Sequence, residues 1–322
     1  MKILVAGCGS IGIRHLACLP QSAGGAEISA FDVDPAAEGK VRTVASGIRF
    51  FSDWREALAR GNDLVIVCVP NELHEELSVA ALRSGSHVLC EKPIAHDVAA
   101  GRRMVEEARR AGRILAVGYT ERFRPSFEFV EGKALSGDLG RLVGGRAMVG
   151  TYNTLLCART DFRSRAYGAL LVDYTHEIDM LGSMFGEVRS LACRANRLAA
   201  KPVPSDPSLV AMLLEYRSGA VVSLHCDYVQ HPQRRLMEVY GDRGTIEFDL
   251  QADCVKVFDG DSPGVVELRQ FDNVRNDRFV REHRDVLEAI RLGRRPRVDG
   301  EQALRALEVA ETAVRQLRDG QA

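Results

Sequence analysis

Lys2-Ile3-Leu4-Val5-Ala6-Gly7-Cys8-Gly9-Ser10-Ile11-Gly12 opens the chain, and its reading decides the fold. Five residues suited to one buried strand run straight into a GxGxxG turn. A helical pattern, Ile11–Leu19, follows at once. Glycines at these spacings permit a tight turn, and they let backbone N–H groups approach a pyrophosphate at the positive end of the helix. Gly7, Gly9, Ser10, Ile11 and Gly12 are therefore candidate nucleotide-binding residues.

Outward from this turn, short apolar runs alternate with amphipathic stretches as far as residue 118. Further candidate strands are Glu27–Phe31, Leu64–Val69, His87–Cys90 and Ile114–Val117, and helical patterns cover Glu72–Ser84 and Val98–Ala111. Nearly continuous apolar strands separated by helices predict a parallel sheet covered on both faces, a Rossmann-type doubly wound α/β fold. Its ligands lie beyond the carboxyl ends of the strands. Asp32 ends the second strand about 20 residues after the last glycine of the turn, where an acid binds ribose hydroxyls. Asp34 follows, and no basic residue comes directly after Asp32. A 2′-phosphate would meet negative charge there, so NAD is favoured over NADP, with Lys40 and Arg42 the cations able to reverse that preference.

From about Gly140 the rhythm changes. Leu209–Tyr216, Ala220–His225, Leu236–Tyr240 and Thr245–Asp249 are closely spaced strands, with hairpin turns at Arg217-Ser218-Gly219 and Asp242-Arg243-Gly244. One helix near Tyr174–Phe185 precedes them, and two follow near Asn276–Leu292 and Gly300–Leu317. The expectation is an α+β domain with a largely antiparallel, open-faced sheet. Residues 1–120 form the nucleotide-binding domain and 121–322 the substrate-binding and oligomerisation domain, the two closing on a cleft, with the C-terminal helices able to pack back on the first.

A formal net charge of −1 supplies no field to draw the molecule to nucleic acid or an anionic membrane. No apolar run reaches the roughly 20 residues of a membrane span, and glycines interrupt the apolar start too early for a signal peptide. The eight cysteines form no CxxC pair, which suits reduced thiols in a cytoplasmic protein and predicts no metal site.

Further motifs fall at strand ends: Val69-Pro70-Asn71-Glu72-Leu73-His74, Cys90-Glu91-Lys92-Pro93, and Gly118-Tyr119 through Arg122-Phe123. With the glycine turn, the Gly241-Asp242-Arg243-Gly244-Thr245 turn and the closing helix from Asn276, they resemble the Gfo/Idh/MocA family of glucose–fructose oxidoreductase and inositol dehydrogenase. The resemblance covers essentially the whole chain, and the Glu-Lys-Pro element is its most specific part. The family's second catalytic element is a glycine cluster followed by Asp and His on a helix; it is matched by Gly168 through Asp179. Here one glycine remains, and Asp173 precedes His176 by three residues rather than the commoner four.

The resemblance implies oxidation of a secondary alcohol of a sugar, cyclitol or sugar-derived, possibly nucleotide-linked, substrate. The cofactor takes the hydride, and the protein must take a proton and stabilise the alkoxide. His176 is the candidate general base, Lys92 the candidate cation at the reacting oxygen, and Asp173 a candidate third member, with Asp179 its competitor. The i, i+3 spacing puts Asp173 and His176 on one helix face. A cis bond before Pro93 is a further family implication. Pro70, Asn71, His74 and Glu91 are expected at the cofactor together with Lys92. Tyr119, Arg122, Tyr152, Asn153 and Arg163 are expected at the substrate, and Arg159 and Asp161 share the loop of Arg163. Two alternatives stay open. One is chemistry with recycled NAD, such as epimerisation, elimination or glycoside cleavage; the other is a dinucleotide-binding regulator without turnover. Family members commonly pair through the C-terminal sheet, so a homodimer or homotetramer is expected.

Overall fold

Near-continuous apolar strands need cover on both faces, and the first part of the chain supplies it with helices. The computed structural model describes residues 1–44, 47–151, 169–197, 207–262, 264–274 and 276–320. It divides into two compact units: Met1–Phe123 with Val274–Leu307, and Arg124–Asn273 with Glu308–Ala322.

The first unit is built on strands β1 (Lys2–Ala6), β2 (Glu27–Phe31), β3 (Arg49–Phe51), β4 (Leu64–Val67), β5 (His87–Glu91) and β6 (Leu115–Gly118). They lie in the order β3-β2-β1-β4-β5-β6, and every pairing is parallel. This is the doubly wound order. Its switch point falls between β1 and β4, where the glycine turn emerges. Ile3, Val5, Leu64, Ile66 and Leu89 form the centre of the core with Leu16 and Leu19 from α1 (Ser10–Ser22). Helices α2 (Ala37–Val44), α3 (Trp54–Ala59), α4 (His74–Arg83) and α5 (Val98–Ala111) connect the strands. Gly112, at φ 61°, ends α5 in the left-handed conformation that glycine adopts most readily.

Two features depart from the sequence reading. β3 is only three residues long, too short for a periodicity signal. α1 continues past Pro20 to Ser22, although a proline there removes a helical hydrogen bond. The later segment Val274–Leu307 groups with this first unit.

The second unit opens with α6 (Pro125–Leu135), then β7 (Leu142–Gly150), a π turn at Ala169–Asp173 and α7 (Thr175–Phe185). Strands β8 (Val188–Asn196), β9 (Leu209–Tyr216), β10 (Val221–Asp227), β11 (Arg234–Gly241), β12 (Gly244–Asp249), β13 (Cys254–Asp259) and β14 (Val265–Gln270) follow. Together with β7 they form an eight-stranded sheet in the order β14-β13-β12-β11-β7-β10-β9-β8. All its pairings are antiparallel except β7 with β10. Burial alternates along β9 and β10: Val210, Met212, Leu214, Val222 and Leu224 are buried, whereas Leu213 and Val221 stand on the open face. Helices α8 (Asp277–Leu292) and α9 (Gly300–Asp319) complete the described chain; α8 lies in the first unit, and the units divide within α9 after Leu307.

Candidate functional site

The glycine turn is shaped by close backbone approaches. Gly7 has φ +96°, and a Cβ there would lie 2.6 Å from the Cys68 carbonyl oxygen. A Cβ on Gly12 would fall on the Gly7 carbonyl oxygen. At Gly9 a Cβ would meet nothing within 4 Å, so this side of the turn is open. Gly9 caps α1 without a side-chain hydrogen bond, and the first turn of α1 carries no acidic residue. The exposed Gly9 and Ser10 thus present helix N-terminal N–H groups that an anion can take.

Asp32 stands directly beyond β2, half-buried. Its Oδ2 accepts from Cys8 N at 2.6 Å, and its Oδ1 accepts from Asp34 N at 2.9 Å. The carboxylate is therefore fixed against the turn, and each oxygen keeps a lone pair for a hydroxyl. Of the nearby cations, Arg42 is bonded to Glu38 at 2.7 Å, and Lys40 is near enough to pull the Cys8 thiol downward. Burial prevails, with Asp32 adding to it, and the Cys8 thiol is pushed up to about 12.

Beyond β4, Pro70 caps a 3-10 turn, Asn71–Leu73, with Asn71 half-buried. His74 is placed differently from a ligand-facing residue. Its ring is buried, with Nδ1 2.9 Å from the Pro93 carbonyl oxygen and Nε2 2.9 Å from the Val69 carbonyl oxygen. Burial pulls its pKa below the usual range against the opposing pull of these carbonyls. The ring thus ties the loop after β4 to the loop after β5 through main-chain atoms.

Glu91 ends β5, and Lys92 follows, half-buried, before a cis bond to Pro93. Glu91 Oε2 accepts from Lys92 N at 3.2 Å, and Oε1 lies 3.0 Å from His15 Nε2. Burial pushes the Glu91 carboxyl up, but the His15 bond and the Lys92 charge outweigh it and hold the pKa below the ordinary value. Tyr119 and Arg122, expected at the substrate, are both buried in this unit.

In the second unit, Asp173 closes the π turn, and α7 starts only at Thr175, with His176 half-buried in its first turn. The two residues therefore do not share one continuous α-helix, and the i, i+3 argument does not place them on a common face. Asp173 Oδ2 instead accepts from Tyr228 Oη at 2.5 Å, and the Tyr228 ring stacks on Tyr174 at 5.5 Å. Asp179 is buried further along α7, and its neighbour Glu177 takes Arg235 at 2.6 Å. Tyr152, Asn153, Arg159, Asp161, Arg163 and Gly168 lie outside the described residues.

The sequence reading missed His15, His283 and Glu282 in the first unit and Tyr228 in the second. His15 had a usable local signal: it lies three residues past the last glycine of the turn, on the helix face that carries Gly12, Leu16 and Leu19 inward.

Comparison with known proteins accords with this layout. Residues 1–119 match the GFO_IDH_MocA family, described as an oxidoreductase family with an NAD-binding Rossmann fold. Residues 159–322 match its C-terminal alpha/beta domain. Inositol 2-dehydrogenase 2 of Saccharopolyspora erythraea is 29% identical over 70% of this chain and 66% of its own length. Myo-inositol 2-dehydrogenase of Thermotoga maritima is 26% identical over 99% of this chain and 97% of its own. Other known relatives are matched over as little as 44% of their length. The solved structure of levoglucosan dehydrogenase with NADH and levoglucosan has a TM-score of 0.87 at 18% identity, covering 99% of this chain and 97% of that one.

Proposed function

This chain belongs to the Gfo/Idh/MocA oxidoreductase family, and from that premise we propose that it transfers a hydride between NAD and a secondary alcohol of a sugar, cyclitol or sugar-derived substrate. The observation that carries this reading is the carboxyl end of β5, one strand beyond β4, where an ionised Glu91 holds the Lys92 main chain. The residues present fit the dinucleotide: an uncapped helix start, an open face at Gly9 and a fixed carboxylate at Asp32.

NAD, when bound, supplies the two-electron hydride acceptor. The N–H groups of Ser10 and Ile11 would hold its pyrophosphate, and Asp32 would take the ribose hydroxyls. Pro70 and Asn71 line the nicotinamide side. The charge of Asp32 and the engagement of Arg42 by Glu38 favour NAD over NADP. Lys92 hydrogen-bonds the reacting oxygen and stabilises negative charge there, and His176 accepts the hydroxyl proton or returns it in reduction. Asp173, anchored by Tyr228, binds a substrate hydroxyl or orients the His176 ring. Tyr152, Asn153 and Arg163 are proposed substrate contacts. The open face of the second sheet, with Leu213 and Val221, pairs subunits into a homo-oligomer.

Free thiols at the seven described cysteines, five of them buried, support a reducing, cytoplasmic setting. Among the described residues, no helix is long and apolar enough to cross a membrane. The test is NADH formation across a panel of inositols, sugars, sugar acids and nucleotide sugars, with NADP in parallel. Substrate-dependent NADH formation supports the reading. Turnover that needs no added NAD would replace it with recycled-cofactor chemistry, and NAD binding with no turnover on any of them would leave a regulator.

A further inference from the structure

Behind Glu91 and Lys92 the first unit contains a line of polar groups for which the proposed function has no use. Glu91 Oε1 lies 3.0 Å from His15 Nε2, His15 Nδ1 lies 2.7 Å from His283 Nε2, and His283 Nδ1 lies 3.1 Å from Ser22 Oγ. Both rings are buried. Phe279 sets its ring edge-on to His15 at 5.3 Å and clusters with the buried Cys18 and Val280, so an apolar wall flanks the line. At the far end, half-exposed Ser22 reaches the line because α1 continues past Pro20.

With both rings neutral, such a line has two self-consistent proton arrangements. In one, the Ser22 hydroxyl donates to His283 Nδ1, His283 Nε2–H donates to His15 Nδ1, and His15 Nε2–H donates to an ionised Glu91. The reverse arrangement requires a protonated Glu91. The Glu91 carboxyl is held low by the His15 bond and charge and then the Lys92 charge, in spite of burial, which excludes the reverse. Burial also pushes the His283 pKa well below the usual range, with His15 adding to it, so that ring stays neutral.

Glu282, next to His283 on α8, is the counterpart. It is buried, its oxygens have no hydrogen-bond partner among the described residues, and burial followed by the Glu91 charge pushes its carboxyl well up. Two carboxyls driven apart in this way have separate roles, one ionised and one neutral. The other titratable groups around Glu91 are Cys90 on its own strand, Lys92 just beyond it and Cys68 after β4, both thiols pushed up by burial. Arg278 acts on Glu282 from α8 and is bonded to Glu121 at 2.5 Å. Gly118 completes the frame: a Cβ there would lie 3.0 Å from Glu91 Oε1, so any side chain at this position would press on the carboxylate.

We propose that His15 and His283 are positioning residues for Lys92, donating in series from Ser22 so that Glu91 stays ionised, holds the Lys92 main chain and sets the charge that faces its ammonium. The inference rests on the reading of Lys92 as the group at the reacting oxygen. Histidine 15N NMR of the full-length wild-type chain without added ligand reads the tautomers directly. The expected result at neutral pH is a proton on Nε2 and a bare Nδ1 for both His15 and His283. A proton on Nδ1 of either ring overturns the series.

The functional arm uses His15→Leu, which removes the donor to Glu91, and His15→Gln, which restores an amide donor at the same reach. Without its donor Glu91 takes up a proton at higher pH. The Glu91 carboxyl titration, followed by 13C NMR, therefore moves up by about one pH unit or more in His15→Leu and returns toward wild type in His15→Gln, and kcat falls and recovers with it. An unshifted Glu91 titration in folded His15→Leu refutes the positioning role. Should that variant fail to fold, the wild-type tautomers of His15 and His283 decide. Undiminished hydride transfer in Lys92→Ala is a different failure, that of the proposed function itself.

Discussion

Two glycines three residues apart in the same turn have opposite tolerances for a methyl group. At Gly9 an added Cβ meets nothing within 4 Å, and its φ of −68° suits an alanine. Gly9→Ala is therefore expected to leave the fold intact and to gain up to about 1 kcal/mol from reduced freedom of the unfolded chain. If the pyrophosphate packs against this open side, the same methyl group holds it off the helix N-terminus. Loss of one charge-assisted hydrogen bond then weakens NAD about ten- to a hundredfold. At Gly12 the added Cβ would fall on the Gly7 carbonyl oxygen, far inside the 3.4 Å at which ordinary contact begins. Backbone cannot yield as a side chain would, so Gly12→Ala costs about 1–3 kcal/mol or more and lowers Tm by several degrees. Thermal melts with and without NAD, paired with calorimetric titration, read both effects. A Gly9→Ala protein with wild-type melting and wild-type NAD affinity would refute the placement of the pyrophosphate. A Gly12→Ala protein that melts normally would refute the packing of the turn.

Other expectations follow from single contacts. Asp32→Ala removes the negative charge facing a 2′-phosphate, so calorimetry should find NAD weakened about tenfold or more and the NAD-to-NADP preference narrowed; an unchanged ratio would assign the preference elsewhere. Lys92→Ala should lower hydride transfer about a hundredfold or more while NAD still binds, and single-turnover NADH formation checks it. Tyr228→Phe deletes the 2.5 Å bond to Asp173 and should cut kcat about tenfold with NAD affinity unchanged; wild-type kcat would show that the carboxylate needs no anchor. Leu213, half exposed on the open sheet face, becomes a buried charge at a subunit contact in Leu213→Asp, so light scattering should find a smaller particle than the wild type at equal melting temperature. A wild-type chain that already runs as a monomer sinks that reading.

The nucleotide half was legible because its chemistry is local. β1 and β2 occupy the expected residues, and the GxGxxG turn, Asp32 and Glu91-Lys92-Pro93 each lie at the carboxyl end of a strand that contiguous apolar residues announce. The second sheet was half legible. β9 through β12 show alternation or a hairpin turn, whereas β7 contains Gly144, Gly145 and Arg146 in its middle and breaks the pattern. Those glycines have a reason that sequence alone does not display: a Cβ on Gly144 would lie 2.5 Å from the Val221 carbonyl oxygen of the neighbouring strand. The neighbour, β10, pairs with β7 in parallel across a long separation, so no turn motif marks the contact.

The candidate catalytic residues divide along the same line between local and distant causes. A spacing argument converts residue number into a helix face only while the helix is α, and at Ala169–Asp173 it is not. What fixes the Asp173 carboxylate is a tyrosine 55 positions later, on the residue after β10. What fixes Glu91 is a histidine 76 positions earlier, itself fixed by another 268 positions away on α8. None of these pairings leaves a periodic trace, because each depends on where the sheet has carried the chain. The residue types did carry information: a histidine on the buried face of α1 and a histidine beside a glutamate on the buried face of α8 are polar groups a core accepts only with partners. Looking for the partners of such residues, rather than for motifs alone, is the step by which the support behind Lys92 becomes accessible from sequence.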